Sequence, residues 1–185
     1  MPPRRQSTSL SGGRLTRARI RALARAFDRR TGPAAGAAER RLKARLRRRA
    51  RRGRLYLTGA ELAWLAEWKS PRIRPLIARN TAAGVRGVTA AAFLVADEAR
   101  RLRLLRGLSG VGLPVASVIL HFAAPGRDPI YDVRVLAGLR RLGVRRRFPP
   151  TAAGWLAYAA CLRALARRHR VPLRALDKAL WLLGR

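Results

Sequence analysis

The chain reads as an all-α protein, a compact bundle of short helices behind a basic N-terminal arm, and three observations predict this. No stretch of the 185 residues sustains the apolar–polar alternation of a half-buried strand. Apolar residues recur at helical spacing instead, as in Leu62, Leu65 and Trp68. Helix-start residues (Thr, Ser, Asp or Pro) stand ahead of the apolar runs, and glycines follow several of them. The length suits one domain and a tail.

The arm comes first. Residues 1–57 hold 19 basic and 2 acidic residues, and Arg40 to Arg54 is almost unbroken positive charge with few large apolar side chains. Gly12-Gly13 and the Gly32–Gly36 segment interrupt it. Two short helices fit around Leu15–Phe27 and Ala37–Arg52, because Arg, Ala and Leu favour helix. The expectation is an arm, disordered or loosely helical, that lies along phosphates when it binds. A solvated tail, or a start codon placed too early, would explain the same composition.

A helical domain is expected over 58–185. Thr58-Gly-Ala-Glu61 has the capping-box spacing and opens the first helix. Ser70-Pro71 starts a second, closed at Asn80, and Thr89 starts a third. Asp97 restarts or continues it into Glu98–Gly107. Beyond Gly110-Val-Gly112 lies an apolar helix, Leu113–Phe122, then a Pro-containing loop to Asp132 and a helix Val133–Leu142. Pro149-Pro150-Thr151 begins a long helix to about His169, and Pro172 begins the last, ending near Gly184. Together these make roughly eight helices from residue 58 onward.

Charge narrows the partners. The formal net charge is +33, with 42 Lys and Arg against 9 acidic residues, and only Lys43, Lys69 and Lys178 are lysines. Such a chain repels itself unless a polyanion neutralises it. Nucleic acid is the first candidate and an acidic membrane surface the second; the arm has few bulky apolar anchors for a membrane. The planar Arg fork suits phosphate, although a GC-rich genome would also inflate Arg.

Cys161 is the only cysteine, which excludes an internal disulfide, a four-Cys iron–sulfur cluster and a Cys-based zinc site. With two distant histidines, His121 and His169, no metal site is expected. A reducing compartment fits, so a cytoplasmic, nucleoid-associated protein is expected. The Arg- and Ser-rich start also has the composition of an organelle transit peptide. No apolar run reaches transmembrane length, and no protein partner is implied.

The informative segment is Leu108-Ser-Gly110-Val111-Gly112-Leu113-Pro-Val-Ala116-Ser117-Val-Ile119-Leu120. Two helices meeting almost back to back need glycine where the backbone turns. Val111 plugs the turn into the helix interface, and the small Ala116 and Ser117 let the second helix pack closely. The N–H groups of Gly112 and the following residues stand free at a helix N-terminus, a ready phosphate site.

The pattern Leu-x-Gly-Val-Gly-x-x-x-Ala-x-x-Ile-Leu resembles the helix-hairpin-helix of the DNA glycosylase superfamily, in which this hairpin grips the DNA backbone. The resemblance implies a DNA interface at Gly110, Val111, Gly112, Leu113, Ser117 and Arg134. It also implies an essential Asp about twenty residues beyond the second glycine, after a Pro-containing loop at the head of the next helix, and Asp132 holds that place. Confident similarity runs from Leu105 to about Leu139. No cofactor is implied, beyond room for a monovalent cation at the hairpin.

Two features depart from the family. Bifunctional members carry an amine nucleophile, a Lys, two residues after the second glycine, where this chain has Pro114. The cluster of four cysteines found in some members is missing. The resemblance therefore points to a monofunctional glycosylase that uses water. A carboxylate facing the sugar would stabilise the positive charge that builds as the base leaves. Asp132 is equally suited to capping Val133–Leu142, and the two roles are compatible.

A flipped base needs an aromatic or apolar pocket. Tyr131, beside Asp132, is the first candidate; Trp64, Trp68, Trp155, Tyr158 and Trp181 follow, all of them equally suited to a helical core. His121 is expected as a partly buried structural histidine and His169 as exposed. Asp97-Glu98 and Asp177-Lys178 read as helix-start and surface charges. Two readings stand: a base-releasing repair enzyme, and a non-catalytic, architectural DNA-binding protein on the same scaffold.

Overall fold

A computed structural model describes residues 15–185 and is built from helices, with no strand among the described residues. Its elements are α1 (Arg17–Thr31), α2 (Pro33–Arg51), α3 (Gly59–Lys69), a 3-10 turn (Pro71–Ile73), α4 (Arg74–Ile77) and α5 (Ala82–Leu94). They continue with α6 (Glu98–Arg106), α7 (Leu113–Ala123), α8 (Val133–Arg141), α9 (Ala152–Arg168) and α10 (Leu173–Leu183). Residues 1–14 of the expected arm lie outside the described residues.

The rest of that arm is not loose. From Arg17 it forms two full helices whose buried stripes, Ile20 with Ala24 and Leu42 with Leu46, enter the common core. One apolar residue per turn is enough for a helix that only has to cover a neighbour. Burying each Leu or Ile contributes roughly 1.5–3 kcal/mol. Carboxylates then tie the arm down: Asp28 to Lys178 at 2.6 Å, Glu39 to Arg174 at 3.0 Å, and Glu61 of α3 to Arg49 at 2.6 Å. Gly32, at φ 82°, makes the elbow between α1 and α2.

Most helix starts follow the sequence chemistry. Thr58 and Glu61 form the capping box, and Asp97, Asp132 and Thr151 accept N–H bonds at the heads of α6, α8 and α9. Ser70 gives no side-chain cap, and the segment after it is a 3-10 turn running into the short α4. The helix expected from Thr89 begins at Thr81, whose hydroxyl accepts from Gly84 N–H. Thr89 sits inside α5, fully buried, bonding Val85 O and accepting from Leu57 N–H.

Two glycines set how α8 lies. A Cβ on Gly138 would stand 2.2 Å from Leu180 O, and one on Gly184 would stand 1.8 Å from Arg134 O. The backbones of α8 and α10 therefore touch, and α1 also packs against α10. This layering holds the head of α8 beside α1, α2 and α3. No helix among the described residues is long and apolar enough to cross a membrane.

Candidate functional site

The turn between α6 and α7 is built as its glycines require. Gly110 has φ 75°, and a Cβ there would meet Leu76 Cβ at 2.9 Å and Ile77 N at 3.2 Å. Asn80 clamps the turn from outside: its amide donates to Ser109 O (3.0 Å) and Ile77 O (2.9 Å), and its carbonyl accepts from Ser109 N–H (2.8 Å). Asn80 thus follows the end of α4, where it bonds Ile77 O, and braces that end to the turn. Gly112 begins α7 without a side-chain cap. Its own N–H is not free, because it reaches Gly110 O at 3.3 Å. The N–H groups of Leu113 and Val115, in the first turn of α7, have no intrahelical acceptor.

The six residues expected at an interface divide into two groups. Gly110, Gly112 and Arg134 are at least partly exposed, whereas Val111, Leu113 and Ser117 are buried. Ser117 is an internal staple: its hydroxyl donates to Pro114 O at 2.7 Å and accepts from Tyr131 N–H at 2.8 Å. Arg72, Arg74, Arg79, Arg103 and Arg106 are exposed on the elements that meet at the turn.

Tyr131 is a core residue. It is 5% exposed, its hydroxyl donates to Phe148 O at 2.6 Å, and its ring packs edge-to-face on Tyr158. That leaves it a wall of the groove and no platform for stacking. Trp155 and Tyr158 are fully buried. Trp64 and Trp68 pack against Phe122.

Asp132 lies at the meeting point of two depressions. One is a groove of about 350 Å³ bordered by Gly110, Gly112, Pro114, Val115 and Tyr131. The other is a cleft of about 510 Å³ whose walls include Phe27 and Glu39 from α1 and α2, Trp68 from α3, and Arg174, Asp177 and Trp181 from α10. Lys69 and Asp132 line both. A larger hollow of about 670 Å³ runs past Arg145, Arg146 and Arg147 and contains no carboxylate, so it offers no acid–base chemistry.

The cleft differs sharply from the rest of the surface. Four of the nine acidic residues, Asp28, Glu39, Asp132 and Asp177, line it, against Lys69, Arg72, Arg134 and Arg174. In a chain of net charge +33 it is electrically balanced. Phe27 meets Trp181 edge-on at 5.2 Å, and the Arg174 guanidinium lies 5.6 Å from Phe27 and 5.4 Å from Trp68.

Both carboxylate oxygens of Asp132 are engaged. Oδ1 accepts the Arg134 N–H at 2.8 Å, and Oδ2 accepts from Lys69 Nζ at 2.5 Å. The side chains of Lys69 and Asp132 are only 11% and 19% exposed, so the pair is largely shielded from salt. Lys69, at the C-terminal end of α3, was not singled out from the sequence, because nothing local links it to Asp132.

Behind this pair lies a buried network. Burial alone would raise the Glu39 carboxyl, but the charges and hydrogen bonds of Arg174 and Lys43 overcome it and bring it from 4.5 to about 2. Asp177, expected at the surface, is 3% exposed; burial pushes its carboxyl up against the pull of Arg174, and its Oδ1 has no partner. His121 is fully buried between Asp128 O (2.8 Å from Nδ1) and Lys43 Nζ (2.9 Å from Nε2). Burial first, then Lys43 and Arg174, holds its pKa well below 6.5. Neutral His121 then donates through Nδ1–H and accepts at Nε2. In the loop before Asp132, buried Asp128 is gripped by Arg127 at 3.0 Å, Arg163 at 3.3 Å and Arg101 at 3.7 Å.

Among the described residues no group of three or more His, Cys, Asp or Glu could hold a metal ion. Comparison with known proteins returns no matching family model, no similar curated protein and no similar solved structure.

Proposed function

We propose that the chain is a DNA-binding, base-releasing enzyme: a DNA N-glycosylase in which the α6–α7 turn holds the phosphate backbone and Asp132 acts at the sugar. The observation that carries this reading is the position of Asp132, shared by the glycine-bordered groove and the aromatic cleft. Exposed arginines around the turn suit phosphates. The cleft, electrically balanced and bordered by three aromatic side chains, offers a phosphate no net attraction and suits an uncharged, flipped base. Cleaving the glycosidic bond builds positive charge on deoxyribose, which a fixed Asp132 carboxylate would offset. Because Pro114 stands where bifunctional relatives of the resembled family carry a lysine, water is the expected nucleophile.

A second reading has its own support. The Asp132 carboxylate is already satisfied by Lys69 and the α8 backbone, as it would be in a non-catalytic, architectural DNA-binding protein. The two part on base release from damaged or modified duplexes. Release that depends on Asp132 establishes the enzyme. Tight, salt-sensitive duplex binding with no release across the panel favours the architectural protein.

A further inference from the structure

Helix α2 is docked on one side and bare on the other. Its buried stripe, Leu42 and Leu46, faces α7, where Lys43 reaches His121 and Phe122. On the outer side Arg40, Arg41, Arg47, Arg48, Arg51 and Arg52 are exposed, and none of them pairs with a carboxylate among the described residues. From Arg40 to Arg51 they run about 16 Å along the helix. Arg47 with Arg51 and Arg48 with Arg52 stand four positions apart, so like charges are neighbours and each pair disfavours the helix. The helix dipole accounts for cations in the last turn, Arg48, Arg49 and Arg51, but not for Arg40, Arg41 or Arg47. A row of unpaired cations on a docked helix is complementary to a polyanion.

The make-up of the face narrows that polyanion. Every exposed residue from Arg40 to Arg52 is arginine except Ala50. The face has no bulky apolar side chain to anchor in a lipid surface, and no aromatic ring on which an unpaired base would stack. A duplex fits better. The B-form major groove, about 12 Å wide, admits an α-helix, whereas the A-form groove of duplex RNA is too narrow for side chains to read.

This face is separate from the turn and its groove. No residue of α2 lines the groove, and only Ala35, Gly36 and Glu39, from the head of α2, line the cleft. Further along, Arg49 bonds Tyr56 O and Glu61 at the start of α3, while Lys69 at the other end of α3 borders the groove. From Glu61 to Lys69 is about 12 Å of helix. The arginines also point away from α7, the helix that carries the turn.

We propose that the outer face of α2 binds a second B-form DNA duplex, so that one chain joins two DNA segments. For the first duplex this rests on the DNA reading of the α6–α7 turn. The second is held through phosphates by the unpaired arginines, with α2 seated in the major groove. Joining duplexes is an activity separate from base release and needs neither Asp132 nor the cleft.

The test counts labelled duplexes per chain by sedimentation velocity on the full-length protein, and measures capture of a labelled duplex onto bead-bound DNA. Wild type should carry two duplexes per chain and hold the labelled duplex on the beads. A variant combining Arg40→Gln, Arg47→Gln, Arg48→Gln and Arg51→Gln changes only exposed positions and keeps helix propensity, so it should fold. It should carry one duplex and lose capture at least tenfold. The log–log salt dependence of capture should flatten by about 3 to 4 as four phosphate contacts go. Combining Arg140→Gln, Arg145→Gln, Arg146→Gln and Arg147→Gln removes the same charge from the hollow after α8 and should leave two duplexes per chain. One duplex per wild-type chain, two on the α2 variant, or equal loss in both variants would overturn the proposal. Equal capture of duplex RNA would overturn it as well. Gly110→Ala separates this proposal from the reading of the turn. If it still carries two duplexes while the α2 variant carries one, the turn reading fails and the α2 surface stands.

Discussion

Replacing Gly110 by alanine imposes two costs at once, and the structure supplies a control that separates them. At φ 75° an L-residue is strained by roughly 1–2 kcal/mol. The added Cβ would also stand 2.9 Å from Leu76 Cβ and 3.2 Å from both Ile77 Cδ1 and Ile77 N. One of those atoms is backbone, so α4 has to shift, at a cost of about 1–3 kcal/mol. Gly143 has a similar φ of 82°, but its Cβ would meet nothing within 4 Å. Gly143→Ala should therefore lose only the conformational part, about 1–2 kcal/mol, and Gly110→Ala about 2–5 kcal/mol. Urea unfolding of the two variants beside wild type measures the difference. Duplex binding at several salt concentrations should weaken for Gly110→Ala alone. Equal destabilisation at the two sites, or unchanged binding by Gly110→Ala, would refute the reasoning that α4 and the turn form one rigid surface.

Asn80→Ala removes three hydrogen bonds to the turn and its neighbour and should cost about 2–3 kcal/mol, read by the same unfolding assay. Gly138→Ala puts a Cβ 2.2 Å from Leu180 O, prying α8 from α10; a melting point within two or three degrees of wild type would show that the contact yields freely. The melting temperature should fall as the pH drops through 6.5, because His121 stays neutral when folded while the unfolded chain takes up a proton. The loss is up to about 1.4 kcal/mol per pH unit, and His121→Gln should flatten it. Below 4.5, Glu39 adds a further loss of about 3 kcal/mol, complete only near its folded value of about 2. Asp128 and Asp177, both raised by burial, oppose that lower step, so the histidine window above pH 5 is the cleaner measurement.

Local chemistry was legible where a helix start depends on its own residues. The capping box at Thr58 and Glu61, the caps at Asp97, Asp132 and Thr151, and the turn at Gly110 each involve atoms a few positions apart. Thr81 and Thr89 both precede small and apolar residues, so the sequence does not separate them; only burial against Leu57 shows that Thr89 lies inside the helix. The packing of α1 and α2 was hidden by composition. Arginine dominates both helices, yet a single buried stripe and two long-range pairs, Glu39 with Arg174 and Asp28 with Lys178, suffice to dock them. The cleft was invisible for the same reason. Asp132 could be found from its distance to Gly112, but Lys69, Asp177 and Phe27 reach it from helices far away in sequence, and no local pattern encodes that meeting. Tyr131 was the natural aromatic candidate by adjacency, and adjacency placed it in the core, since the residue before a cap faces inward here.

In the proposed enzyme Asp132 acts at a sugar while the α6–α7 turn holds the DNA. Base release from a panel of damaged and modified duplexes, scored as alkali-labile sites, tests it directly with wild type beside Asp132→Asn. Asparagine is as good a helix cap as aspartate, so the variant should fold and bind. Wild type should release base from at least one duplex, and the variant should lose about 100-fold or more of that activity. Undiminished release by Asp132→Asn would contradict it.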